Sequence, residues 1–172
     1  TQMNTDSVSA AAPQHATLAI ASGSTVTVWN CDCNGNNNNT EKDGTTTFDS
    51  FLPNDPSVVD LVWNHTGKVL CCVVETQSID NDNDIIALLS AQSGRLLSSF
   101  GKQTPIQGAL AATFGGKSRY LCMGTAEGGV LIWDLKKQAQ ARRFQISSPC
   151  RHVCLDPTDA FVFALGEWSL SV

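Results

Sequence analysis

Several groups of residues along this chain are of types that do chemistry. Gly116-Lys117-Ser118 matches the tail of a phosphate-binding loop, in which backbone amides and a lysine cradle a nucleotide. Asp80, Asp82 and Asp84 alternate like the opening ligands of a calcium loop. Cys150, His152 and Cys154 fall on one face of an expected strand as three metal donors, and Cys31 with Cys33 would add two thiolates. His15, His65 and His152 are the candidate general bases.

Each chemistry needs more than its residue types. A phosphate loop requires glycine five positions before Gly116, where the chain has Ala111, and a helix afterwards, where "RYLCMGT" reads as a strand. A calcium loop would need glycine at Ile85 and glutamate at Ala91. Zinc sites pair cysteines across a turn, which C-x-H-x-C along a strand does not provide, so the cysteines read as small buried apolar residues. The histidines have no serine, cysteine or carboxylate at a spacing that marks a catalytic set. Sequence alone therefore assigns no catalytic, cofactor or metal residue, and Gly115-Gly116-Lys117-Ser118 reads as a hairpin turn.

The elements around these residues repeat. "VVDLVWNHTGKVLCCVV" (58–74), "ALAATFGGKSRYLCMGT" (109–125) and "RHVCLDPTDAFVFALG" (151–166) share one layout. A large apolar residue (Trp63, Phe114, Leu155) precedes another (Cys71, Cys122, Phe163) by eight positions, with a polar four-residue turn between. Val59, Leu61 and Trp63 alternate as one face of a strand, "TVTVW" and "GVLIW" are rich in β-branched residues, and no stretch holds a helical period. A third strand is expected to end at Trp29, Leu89 or Trp133 and a fourth near Phe51, Phe100 or Phe144. The chain is thus predicted to be all-β, a single domain over 1–172 made of units at 14–55, 57–102 and 106–147 and a partial one at 150–172. Two inserts, the asparagine-rich 31–44 and "TQSIDNDND" at 76–84, account for uneven spacing.

Composition is globular, with 42% hydrophobic and 16% charged residues. No window reaches the length of a membrane span and "TQMNTDSVSAAAPQ" lacks the pattern of a secretory signal, which leads to the expectation of a soluble intracellular protein. Seven cysteines without a framework spacing fit reduced thiols. Charge is uneven: residues 1–92 hold two basic and eleven acidic side chains, net −9, whereas 93–172 hold nine and five, net +4.

Trp29-Asn30 and Trp133-Asp134 close third strands, and with them the chain resembles the WD-repeat family of β-propellers. The resemblance implies a partial propeller of about three and a half four-stranded antiparallel blades. It makes Trp29, Trp133 and Asp134 signature residues, with Thr125 and Glu127 the recognisable members of the blade's buried polar network. No Gly-His dipeptide opens a unit, so that network is expected to be incomplete. "VWNHTGKVL" (62–70) and "GGKSRYLCMGTAEGGVLIWDLKKQAQ" (115–140) look like blades of the WD-repeat proteins that target the γ-tubulin ring complex to centrosomes and spindle poles. "SSPCRHVCLDPTDAFVFALGEWSLSV" also resembles a blade of WD-repeat proteins of the small-subunit processome. The likeness implies a non-catalytic scaffold that binds proteins and takes no cofactor, small-molecule substrate, membrane or nucleic acid.

Lys136, Lys137, Arg142 and Arg143 are the candidate partner-binding residues, with an ordinary solvated edge as the alternative. An arc of blades would leave a bare apolar face at each end, which suggests a partial product or completion by another chain.

Overall fold

In a computed structural model the described residues are 7–11, 17–23, 25–30, 44–48, 57–75, 85–100, 108–167 and 170–171. Residues 31–43 of the asparagine-rich insert, Asp80, Asp82, Asp84, His15 and Phe51 lie outside them, Cys31 and Cys33 included. Fifteen strands and no helix occur among the described residues. They form four antiparallel sheets with strands in chain order. The first contains β1 (Ser7–Ala11), β2 (Thr17–Ser22), β3 (Thr25–Asn30) and β4 (Gly44–Phe48). The second contains β5 (Ser57–Trp63), β6 (Val69–Glu75), β7 (Ile85–Ser90) and β8 (Leu96–Phe100). The third contains β9 (Ala109–Phe114), β10 (Tyr120–Thr125), β11 (Gly129–Asp134) and β12 (Ala139–Gln145). The fourth contains β13 (Cys150–Leu155), β14 (Val162–Gly166) and β15 (Leu170–Ser171). No closed barrel is formed among the described residues.

Strand β1 stands ahead of the 14–55 unit expected from sequence, because Ser7-Val8-Ser9-Ala10-Ala11 pairs with β2 from Ser7↔Ser22 to Ala11↔Leu18. The third strands end one residue beyond Trp29, Leu89 and Trp133. Ile86↔Phe100 and Val130↔Phe144 pair equivalently, and in the first sheet that place is taken by Phe48, opposite Val26.

The sheets stack in series, the first strand of each packing against the first strand of the next. Three interfaces reuse the same repeat positions. Ala19, Val26 and Val28 of the first sheet meet Leu70, Cys72 and Leu89 of the second. Cys71, Ile86 and Leu88 of the second meet Leu121, Met123 and Trp133 of the third. Cys122, Val130 and Ile132 of the third meet Ala164, Leu155 and Cys150 of the fourth. A sheet covered on both faces needs apolar residues at successive positions instead of alternate ones. Hence Leu70, Cys71, Cys72, Val73 and Val74 are all fully buried.

The same irregularities recur. In β5, β9 and β13 the register steps past Val59, Leu110 and Arg151, each four residues before Trp63, Phe114 or Leu155. In β8 and β12 it steps past Leu97 and Ala141, eight residues after Leu89 and Trp133. A bulge inverts the side-chain alternation beyond it. The face expected as Val59, Leu61 and Trp63 is therefore Val58, Leu61 and Trp63, with Val59 turned toward the neighbouring cluster.

The turns of the three matching hairpins also correspond. Gly67, Ser118 and Asp159 each donate their amide to the carbonyl three residues back and each has a left-handed φ, of 66°, 52° and 61°. These turns are clasped to one another. The Ser118 hydroxyl lies 2.5 Å from His65 Nδ1, and Asp159 Oδ1 accepts the Gly116 amide at 2.8 Å. Asp159 approaches so closely that a Cβ on Gly115 would collide with its Oδ1, and one on Gly116 would collide with the Pro157 carbonyl oxygen. At Gly116, where the obstacle is backbone, only hydrogen fits; at Gly115 the obstacle is a side chain.

Candidate protein-interaction surface

Trp133 and Asp134 end β11, a strand buried along its whole length. The Trp133 indole packs edge-to-face on Phe100 of the preceding sheet, with ring centroids 5.4 Å apart. Asp134 is buried and holds the following turn: its Oδ1 accepts the Lys136 and Lys137 amides at 3.0 and 3.1 Å, and its Oδ2 accepts Arg119 Nη2 at 2.9 Å. Burial by itself would raise the Asp134 carboxyl; Arg119 and the two amides outweigh it and hold the group below its usual value. Arg119 in turn lies over the Tyr120 ring.

Thr125 Oγ1 accepts the Gly129 amide at 2.9 Å and so pins the turn into β11. Glu127 acts through its backbone: its carbonyl accepts Gln145 Nε2, while its exposed carboxylate makes no hydrogen bond among the described residues. Trp133 Nε1 is buried with no partner among them. Trp29, at the matching place in the first sheet, sits half-buried opposite Leu18.

The four candidate cations occupy the outer edge of the third sheet. β12 is exposed throughout, and Arg142 and Arg143 project from it, with exposed Lys136 and Lys137 in the preceding turn. An edge strand offers unpaired backbone groups, and its arginines keep it from indiscriminate pairing while presenting positive charge. Alongside lies a cleft of about 720 Å³ lined by Val130, Ile132, Arg142, Phe144, Phe161 and Val162. Phe144 and Phe161 are 45% and 61% exposed in its walls. Positive charge beside an aromatic cleft suits a protein segment with acidic and apolar side chains.

Other chemistry expected from sequence is rearranged by the fold. The step past Arg151 turns Cys150 into the core and leaves His152 and Cys154 exposed on the opposite face, so the three do not converge. No cluster of three His, Cys, Asp or Glu residues that could hold a metal occurs among the described residues. Burial pushes the Cys72 and Cys122 thiols up to about 12. Gly115 to Ser118 form the β9–β10 turn.

His65 and Ser118 meet although 53 residues separate them. Ser118 Oγ also takes the His65 amide at 3.2 Å, which makes the pair a clasp between turns. The one sequence signal of this meeting is that both residues occupy matching turns of the repeat.

No family model matches the chain, and no curated protein matches it. Among the described residues no helix is long and apolar enough to cross a membrane.

Proposed function

We propose that this chain is a non-catalytic protein-interaction scaffold, an arc of a WD-repeat β-propeller whose blades are the four stacked sheets. Reuse of the same positions at three successive interfaces, with bulges at matching places, supports the propeller reading. The observation that carries the scaffold reading is β12, an edge strand exposed along its whole length that bears Arg142 and Arg143 beside an aromatic cleft. Its partner is a protein with acidic surface, engaged at the rim formed by Lys136, Lys137, Arg142 and Arg143.

The resemblance of 62–70 and 115–140 supports a narrower role: recruitment of the γ-tubulin complex and microtubule nucleation at centrosomes and spindle poles. A second role, in the small-subunit processome of the nucleolus, is supported by the resemblance of 147–172. Localisation of the tagged chain separates the two. Reversing all four cations to glutamate should abolish recruitment to whichever structure is found while leaving the fold intact; undiminished recruitment would remove the rim from the account.

A further inference from the structure

The turns that join first to second strands and third to fourth strands lie at one end of each sheet. In the second and third sheets that end carries Lys68, Arg95, Lys117, Arg119, Lys136 and Lys137, all exposed. Hydrogen bonds tie the four turns into one surface. Ala91 donates its amide to the Lys68 carbonyl at 2.9 Å, Leu135 donates to the Arg119 carbonyl at 2.9 Å, and the clasp of His65 to Ser118 joins the two sheets. Strands lie about 4.8 Å apart and stacked sheets about 10 Å, so the four turns stand at the corners of a square about 10 Å on a side.

The charge of this square is not cancelled locally. Arg119 is paired with Asp134 at 2.9 Å, but Lys68, Arg95, Lys117, Lys136 and Lys137 form no ion pair among the described residues. The carboxylates at this end among the described residues, Asp134, Asp156 and Asp159, already accept backbone amides of their own or the neighbouring turn. The opposite end of the third sheet carries Glu127 and no cation among the described residues. Unpaired cations gathered on so small a surface attract and concentrate anionic groups.

We infer that this square docks a short, extended acidic segment of a partner protein, whose glutamate and aspartate carboxylates reach Lys68, Arg95, Lys117, Lys136 and Lys137 together. The inference rests on the scaffold reading given above and gives the partner a second footprint, away from Arg142 and Arg143. An extended chain advances about 3.3 Å per residue, so about four residues cross the square from corner to corner. Lysines, which carry rotatable point charges on flexible stems, suit mobile carboxylates; planar bidentate recognition would call for arginines. A single-stranded nucleic acid would need ring faces on which its bases stack. Within the square His65 and Tyr120 are half-buried, the first held by Ser118 and the second lying beneath Arg119.

Fluorescence anisotropy of a fluorescein-labelled polyglutamate peptide about eight residues long, enough to cross the square with both ends free, tests this. The native chain should bind it, and binding should weaken as sodium chloride is added. A Lys68→Gln, Arg95→Gln, Lys117→Gln variant, which keeps all four rim cations, should bind about tenfold more weakly, exposed pairs being individually modest. Ser99→Glu, Ser147→Glu, Arg151→Gln lowers the net charge equally but at the opposite end, all three residues being exposed, and should change binding by about twofold at most. A native chain that does not bind the peptide, equal weakening by the two variants, or an oligothymidylate of matching length that binds as tightly would each overturn the inference. Should far-UV circular dichroism show the Lys68 variant unfolded, acetylation of the native chain decides. Bound peptide should then shield Lys68, Lys117, Lys136 and Lys137, and unchanged labelling of these would overturn it equally. Recruitment of the tagged chain separates this failure from that of the scaffold reading. If reversal of the rim abolishes recruitment while the Lys68 variant retains it, only the square is lost; if both variants are recruited, the rim fails as well.

Discussion

Phe100 and Phe144 hold the same place in successive sheets, opposite Ile86 and Val130, yet their surroundings differ. Phe100 is 7% exposed beneath the Trp133 indole, whereas Phe144 is 45% exposed at the cleft. Truncation of each to alanine therefore measures what a following four-stranded sheet contributes. Removing a buried phenylalanine costs about 3–5 kcal/mol, the cavity included. Fully burying such a ring is worth about 1.5–3 kcal/mol, so a ring little more than half covered, beside a cleft that water enters, should cost about 1 kcal/mol. At about 2–4 °C per kcal/mol for a chain of this size, Phe100→Ala should lower Tm by about 6–20 °C and Phe144→Ala by about 2–4 °C. Differential scanning calorimetry of both variants gives the comparison. Equal losses, or a Phe100→Ala loss as small as that for Phe144→Ala, would refute the proposed packing of the second sheet on the third.

Gly116→Ala should destabilise more than Gly115→Ala, because its new methyl meets the Pro157 carbonyl while that of Gly115 meets a side chain that can rotate; paired thermal melts check the order. Ser118→Ala should cost about 1 kcal/mol by opening the clasp to His65, read by urea titration. Asp134 has a folded pKa below its usual 3.8, so it stabilises above that value and the contribution is lost as pH falls through the folded value. Asp134→Asn should accordingly flatten the acid limb of Tm against pH. Asp60 has the opposite sign: burial raises its pKa, so its contribution is full below 3.8 and is lost as pH rises through the folded value. In a Cys31→Ser, Cys33→Ser background, a thiol reagent should label exposed Cys154 promptly and buried Cys71, Cys72, Cys122 and Cys150 only on unfolding, read by mass spectrometry.

Much of this architecture is legible in the sequence because local chemistry encodes it. Asn64-His65-Thr66-Gly67 and Asp156-Pro157-Thr158-Asp159 mark their turns, and the run from Leu70 to Val74 indicates a strand covered on both faces. β1 is hidden from such reading because its small residues carry little strand propensity and its partner supplies the order. The faces of β5 and β13 escape it for another reason. Bulges at Val59 and Arg151 break strict alternation, and no spacing rule forecasts where an extra residue enters.

At the candidate surface the cations of β12 are readable as charge, but the cleft beside them depends on Phe161 arriving from the next sheet. The clasp of Ser118 to His65 likewise requires two turns to be stacked before either side chain has a partner.

The stacking of sheets underlies both the scaffold reading and the clasped turns. It is tested most directly by the nuclear Overhauser contact between the Trp133 indole and the Phe100 ring in the isolated chain. Centroids 5.4 Å apart predict strong cross-peaks between the two rings. Their absence from a folded, β-rich sample would contradict the account.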